Sequence, residues 1–350
     1  MVARTASLLD LSRFPAECTV GVLTDSDLPD AVRIANEMQA RVNGDRPHTV
    51  ENWKVELEWD GMDRERDTIC VHLPDGRVCG FGMVANVDET HHVSWLTWGI
   101  DDALVGHPDP EIPPAGESAL LEALISVAES RIDEAEPDVR IIAQTIADVN
   151  DQRAATLAAR HGFTPERYFL RMKVDLAERP VAPALPDGLA LKALSETENL
   201  DAIALATEDG FRDHFGHVNQ SDEQVIKDFR HVAATHPRFD PSLWYAIYDG
   251  SDIAAICLNV EKMDEAPEIG YVSTLAVRRP WRKRGLGKLL LLYSFAALWD
   301  RGQRSVALHV DAQSLTGATR LYENVGMVAD RREVSLVRTI RDGKDIRNLG

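Results

Sequence analysis

The sequence predicts an α/β fold built twice in tandem, and three observations lead there. The chain has 350 residues, more than one hydrophobic core usually serves, so about two domains are expected. Apolar strand-like runs alternate with helix-like runs in the same order in both halves. Between the halves, Leu176–Gly188 carries three prolines and no apolar period, the composition of a linker. The expected division is an N-terminal domain over 1–176, a linker over 177–187 and a C-terminal domain over 188–350.

Each repeated element has a counterpart. The turn Asp75-Gly76 and the strand after it match Asp249-Gly250 and theirs, and Val93–Trp98 answers the apolar run Tyr271–Val277. Glu117–Leu121 opens a helix as Gly287–Leu290 does, and Leu157–Phe163 matches Leu321–Met327. Trp53 and Trp59 are expected in the first core, and His91-His92 reads as a solvated turn.

Composition excludes several classes. A net charge of −19 opposes nucleic acid as a partner, because phosphate contacts need a basic surface, and is compatible with a cationic acceptor. Nowhere do ~18 uncharged apolar residues run together, and the N-terminus has no signal-peptide core, so no membrane span and a cytoplasmic location are expected. Cys18, Cys70, Cys79 and Cys257 form no C-x-x-C pair and read as reduced thiols.

The densest chemical signal is Arg282-Lys283-Arg284-Gly285-Leu286-Gly287, between the run Tyr271–Val277 and the run Leu289–Leu298. It reads as strand, phosphate-cradling turn and helix. Glycine lets the backbone approach a ligand, and a helix N-terminus attracts anions through its unpaired amides. A Walker loop would need Gly where Arg282 stands and Ser or Thr where Leu289 stands; a dinucleotide fingerprint would need Gly at Leu290. Downstream, Ser305–Val310 reads as a buried strand and 317–325 as a helix ending at Gly326.

Together the Arg-x-x-Gly-x-Gly loop, the strand Leu308–Asp311 and the helix bearing Leu321-Tyr322 resemble the second half of the GNAT superfamily of N-acyltransferases. That resemblance implies two tandem GNAT domains, each a twisted mixed sheet flanked by helices, with acetyl-coenzyme A as cosubstrate and no metal. It implies that the backbone from Arg282 through Lys283, Arg284, Gly285, Leu286 and Gly287 to Lys288 holds the pyrophosphate. Amides near Leu275, Ala276 and Val277 would face the thioester, and Ser314 stands near the family's usual Asn position. Tyr322 is implied as general acid, a role that suits a group protonated at neutral pH.

The general base is read by position as Glu268, with Asp264 and Glu265 behind it; relatives of the mycothiol synthase type carry an acidic residue where Tyr271 stands here. The acceptor pocket is expected from Phe211–His217, with Asp213, His214 and His217 as substrate contacts. His-x-x-His there permits a metal, but no third ligand is evident nearby.

In the first copy, Pro113, Ala115, Gly116 and Ser118 align with Arg282, Arg284, Gly285 and Gly287, and Ala158 aligns with Tyr322. That copy is expected not to bind coenzyme A, as in tandem GNAT proteins with one degenerate half. The expected reaction is acetylation of a primary amine of a small molecule by a monomer or homodimer. A mycothiol synthase reaction, an aminoglycoside-type acetylation, and an acyl-coenzyme A sensor or scaffold without turnover remain open.

Overall fold

Strand pairing in the computed structural model follows the alternation read above. The structure describes residues 7–58, 61–86, 90–107, 109, 112–236, 238–263, 266–313 and 317–349. In chain order the first part runs β1 (Thr19–Gly21), α1 (Leu28–Asn43), α2 (Val50–Glu56), α3 (Arg64–Asp67), β2 (Thr68–His72), β3 (Val78–Ala85) and β4 (Val93–Ile100). It continues with α4 (Asp102–Val105), α5 (Ala115–Glu129), β5 (Ile141–Asp148), α6 (Gln152–Arg160) and β6 (Thr164–Asp175). The second part runs β7 (Leu189–Ala193), α7 (Leu194–Thr197), α8 (Leu200–Phe211), α9 (Asp222–Thr235), β8 (Trp244–Asp249) and β9 (Asp252–Val260). Then come β10 (Ile269–Val277), α10 (Leu286–Asp300), β11 (Ser305–Asp311), α11 (Ala318–Glu323) and β12 (Val328–Arg341).

Two compact units result, and they do not follow the proline-rich break. Unit one is Met1–Tyr168 with Glu333–Ile346; unit two is Phe169–Arg332 with Arg347–Gly350. The reason is strand pairing. Residues 169–175 of β6 lie antiparallel to β11, from Phe169 opposite Asp311 to Asp175 opposite Ser305. Residues 333–341 of β12 lie antiparallel to β5. Each unit therefore takes one strand from across the linker.

Inside each unit the order of strands is the same, which is the duplication in physical form. Unit one runs β1-β2-β3-β4-β5-β12 and unit two β7-β8-β9-β10-β11-β6. Every neighbouring pair is antiparallel except β4 with β5 and β10 with β11. Those parallel pairs require a crossover, and α5 and α10 supply it.

The cores explain why these helices form. α10 is apolar nearly all round, and Leu286, Leu289, Leu290, Leu291, Phe295 and Leu298 are buried against Val306, Leu308, Val310 and Met172 of the sheet. On the other sheet face, Ile203 and Ala206 of α8 pack on Trp244, Ala246, Ile256 and Ala276. In unit one Trp53 is buried and meets Phe81 edge-on at 5.1 Å, while Trp59 lies outside the described residues. His92 departs from the expected solvated turn: it is buried, bonded to Thr90, and its carbonyl accepts from Ile142 N–H at 2.9 Å. The start of the β4–β5 ladder, Val93 opposite Ile142, draws it inside. Cys70, Cys79 and Cys257 are buried, Cys18 is partly so, and all four are free thiols.

Candidate active site

β10 is half of an opening. It pairs with β11 only at Ile269, Gly270 and Tyr271, yet stays paired with β9 as far as Val277. Beyond Ala307, β11 continues beside β6 alone. From Val272 to Val277 the edge of β10 that faced β11 therefore has no strand beside it, about 17–20 Å of backbone able to hydrogen-bond a ligand. A register shift between Val272 and Thr274 bends β10 where the two strands part.

The side chains along this edge alternate as a strand requires. Leu275 and Val277 pack toward α10, and Ala276 packs toward α8. α8 comes so close that a Cβ on Gly210 would sit 2.6 Å from that of Ala276, so only glycine fits there.

At the end of β10 the chain makes a 3₁₀ turn, Arg279–Trp281, and enters the glycine loop. Lys283 and Gly285 both take left-handed backbone, at φ 64° and 78°. The first costs strain in a residue with a Cβ, as segments built around ligands often do. Gly285 caps α10 without a side-chain hydrogen bond. Among the described residues the backbone N–H groups of Lys283 to Lys288 meet no acceptor, and Leu289 N–H, 3.1 Å from Gly285 O, is the first that does. Such a run of amides can receive an anion. Gly287 serves packing as well, since a Cβ there would come within 3.0 Å of Leu321 Cδ2.

The basic residues divide into braces and free charges. Arg282 donates to Val277 O at 3.0 Å and to Asp213 at 2.7 Å, Arg279 pairs with the same carboxylate, and Arg278 binds Asp209 at 2.6 Å. These arginines hold the turn to the end of α8. Lys283, Arg284 and Lys288 are exposed and form no ion pair among the described residues.

Asp213 therefore has a different occupation from the substrate contact expected of it. Hydrogen bonds from Arg279 and Arg282 hold its carboxyl well below the usual carboxylate range. His214 stacks on Phe211 at 4.3 Å, and burial, then Arg282, lowers its pKa. His217 Nε2 lies 3.0 Å from Glu208 Oε1, at an angle too poor for a hydrogen bond. The chain end straps this segment: Asn348 exchanges backbone hydrogen bonds with Gly216 and His217, and Arg347 lies over Phe215.

Tyr322 is buried on α11 in the same core as Leu308 and Val310. Burial, then Cys257, raises its phenol above the ordinary value, so it is protonated at neutral pH, and no hydrogen bond engages its hydroxyl among the described residues. Glu268 stands in an exposed turn before β10. Ser314, Asp264 and Glu265 lie outside the described residues. Position 271 stands where relatives carry an acid, but nothing in the sequence joined it to His309; their side chains meet across the point where β10 and β11 part, Tyr271 Oη lying 2.9 Å from His309 Nδ1. Their common signal is a polar residue at alternate positions of two otherwise apolar strands.

Among the described residues one group has metal-ligand spacing, Asp27, Cys70 and His72 in unit one. There His72 Nε2 lies 2.9 Å from Asp27 Oδ1 beside the start of α1. Among the same residues no helix is long and apolar enough to cross a membrane.

Comparison with known proteins accords with this geometry. Residues 195–327 match the acetyltransferase (GNAT) family. A mycothiol acetyltransferase of Thermobispora bispora is 31% identical over 176 residues, 49% of this chain and 58% of that protein. One of Cellulomonas flavigena is 29% identical over 49% of this chain and 50% of its own length, so the chain spans little more than half of these relatives. One of Tsukamurella paurometabola is 27% identical over 66% of this chain and 82% of its own. In structure, a GCN5-related N-acetyltransferase from Sphaerobacter thermophilus superposes with TM-score 0.74 at 26% identity over 95% of this chain and 98% of that one. A tandem GNAT protein from the clavulanic acid biosynthesis pathway shares the fold, at TM-score 0.69 and 14% identity over 94% of this chain and 100% of its own. The chain carries a GNAT-family acetyltransferase domain and is similar in sequence to mycothiol acetyltransferases.

Proposed function

We propose that unit two transfers the acetyl group of acetyl-coenzyme A to a primary amine of a small molecule. The observation that carries this reading is the run of acceptorless amides from Lys283 to Lys288 at the end of an open strand edge. The diphosphate fits there, with Lys283, Arg284 and Lys288 as its cations and Arg282 as the brace of the loop. The pantetheine chain then lies along Leu275, Ala276 and Val277, whose backbone polarises the thioester carbonyl. Ser314 is assigned to the same cosubstrate by its place after β11.

Tyr322 is the donor to the departing thiolate, and Glu268 is the acidic group nearest the start of β10. His214 and His217 face the acceptor from the loop after α8. Similarity to mycothiol acetyltransferases favours an amine on a thiol-bearing sugar conjugate over an aminoglycoside.

The test compares one charge in two places. Gly287→Glu is expected to weaken acetyl-coenzyme A binding by at least ~100-fold in calorimetry, while Ala115→Glu, at the exposed start of α5 beside Gly116, leaves it unchanged. Equal loss in both variants, or in neither, removes unit two as the binding half. Binding without release of free coenzyme A on any amine favours the sensor reading.

A further inference from the structure

Tyr271 is the last residue of β10 paired with β11, opposite Ala307. Its side chain reaches across to β11, with Oη 2.9 Å from His309 Nδ1 and the rings 5.7 Å apart. His309 alternates with Leu308 and Val310, which pack beneath α10 and α11 together with Tyr322. Successive strand residues point to opposite faces, so His309 and Tyr271 lie on the face away from Tyr322. A ligand in the opening is thus flanked by a phenol–imidazole pair on one side and a protonated phenol on the other.

We propose that Tyr271 and His309 together take the proton of the attacking amine, an inference that rests on the acetyl-transfer reading above. The amine nitrogen bonds to the acetyl carbon and becomes positively charged. Its proton passes to Tyr271 Oη as the Tyr271 proton passes to His309 Nδ1, leaving a neutral phenol and an imidazolium. The carbon–sulfur bond then breaks, the thiolate takes the Tyr322 proton, and the products are the amide and free coenzyme A. His309 and Tyr322 return to their starting states through solvent.

The surroundings of His309 keep it neutral at rest. Arg171 of β6 lies directly opposite it, and Asp330 holds that buried guanidinium by two hydrogen bonds, at 3.0 and 2.6 Å. Although His309 is exposed, its imidazole is pushed down to about 4, by desolvation first and then by Arg171, with Arg331 adding and Asp330 opposing. The ring is therefore neutral at pH 7, with a lone pair for the relayed proton, and it gives that proton up to solvent readily because the same surroundings disfavour the imidazolium. Glu268 lies three residues before Tyr271, about 10 Å away, in the exposed turn ahead of the paired stretch Ile269–Tyr271.

The experiment uses the full chain with acetyl-coenzyme A and glucosamine, spermidine and kanamycin as probe amines, following free coenzyme A by chromatography. With the best probe, His309→Gln is expected to lower kcat by about 30-fold or more with KM for acetyl-coenzyme A within twofold. Imidazole added to His309→Ala is expected to restore several-fold of the lost rate, which a merely structural histidine would not show. Should the His309 variants fail to fold, Tyr271→Phe keeps the ring, removes the relay oxygen and must lower kcat at least tenfold. Turnover of His309→Gln within threefold of wild type, or of Tyr271→Phe within twofold, overturns the relay and leaves acetyl transfer standing. Wild type that releases no coenzyme A with any probe overturns acetyl transfer and the relay together.

Discussion

The turn that opens α5 and the turn that opens α10 occupy equivalent places in two copies of one topology, and they are filled in opposite ways. At α10 Leu286 of the first turn is buried, and among the described residues the amides around it meet no acceptor. At α5 the corresponding residue is Glu117, also buried, with Arg153 Nε 2.7 Å from its carboxylate and Trp98 Nε1 at 3.4 Å. Phe14 then closes on Gly116, where a Cβ would meet its ring at 2.9 Å. β4 and β5 part after Trp95 as β10 and β11 part after Tyr271. The parting of the strands is present twice, and in unit one a buried ion pair and an aromatic ring occupy the helix start beside it.

Breaking that occupation gives the largest expected effect. Burial pushes the Glu117 carboxyl up and Arg153 pulls it back. Arg153 also pairs with Asp102 at 2.8 Å, so it is Glu117 that loses its counter-charge when the pair is broken, and Arg153→Ala is expected to cost ~3–5 kcal/mol in denaturant melts. The double change Glu117→Leu with Arg153→Met is expected to recover most of it. A single-variant loss below ~1 kcal/mol means the pair does not hold the filled site together.

On the other side of the comparison, Tyr322→Phe is expected to lower kcat by about 10–100-fold with acetyl-coenzyme A affinity unchanged. Turnover within twofold of wild type makes Tyr322 a packing residue like Ala158, its counterpart. The smallest effect concerns the brace between Asp213 and the two arginines. A carboxylate whose folded pKa is lowered contributes stability above its unfolded value near 4, and loses it as pH falls through the folded value. Asp213→Asn is thus expected to melt slightly below wild type at pH 7, and the gap should close on acidification below pH 4. A gap that does not shrink between pH 4 and pH 2 assigns the difference to something other than the carboxylate charge.

What the sequence made legible was local. The glycine turn, the helix bearing Leu321-Tyr322 and the order of elements all depend on residues a few positions apart, where backbone preference and apolar period act. The loop brace was not legible, because Asp213 and Arg279 are 66 residues apart and nothing in either segment marks the other. Tyr271 and His309, 38 residues apart, meet only through the register of β10 and β11. The proline-rich break is visible in composition, yet composition does not say which sheet the strand before it will join.

That last point governs how the molecule can be cut and how it can be made. A fragment beginning at residue 188 lacks the strand 169–175, leaving β11 with a bare edge along its length; such an edge recruits other chains. A fragment ending at residue 187 leaves β5 without residues 333–341. During synthesis β5 waits for residues 333–341 to leave the ribosome before it gains its partner. A cut at the proline-rich break therefore removes one strand from each unit.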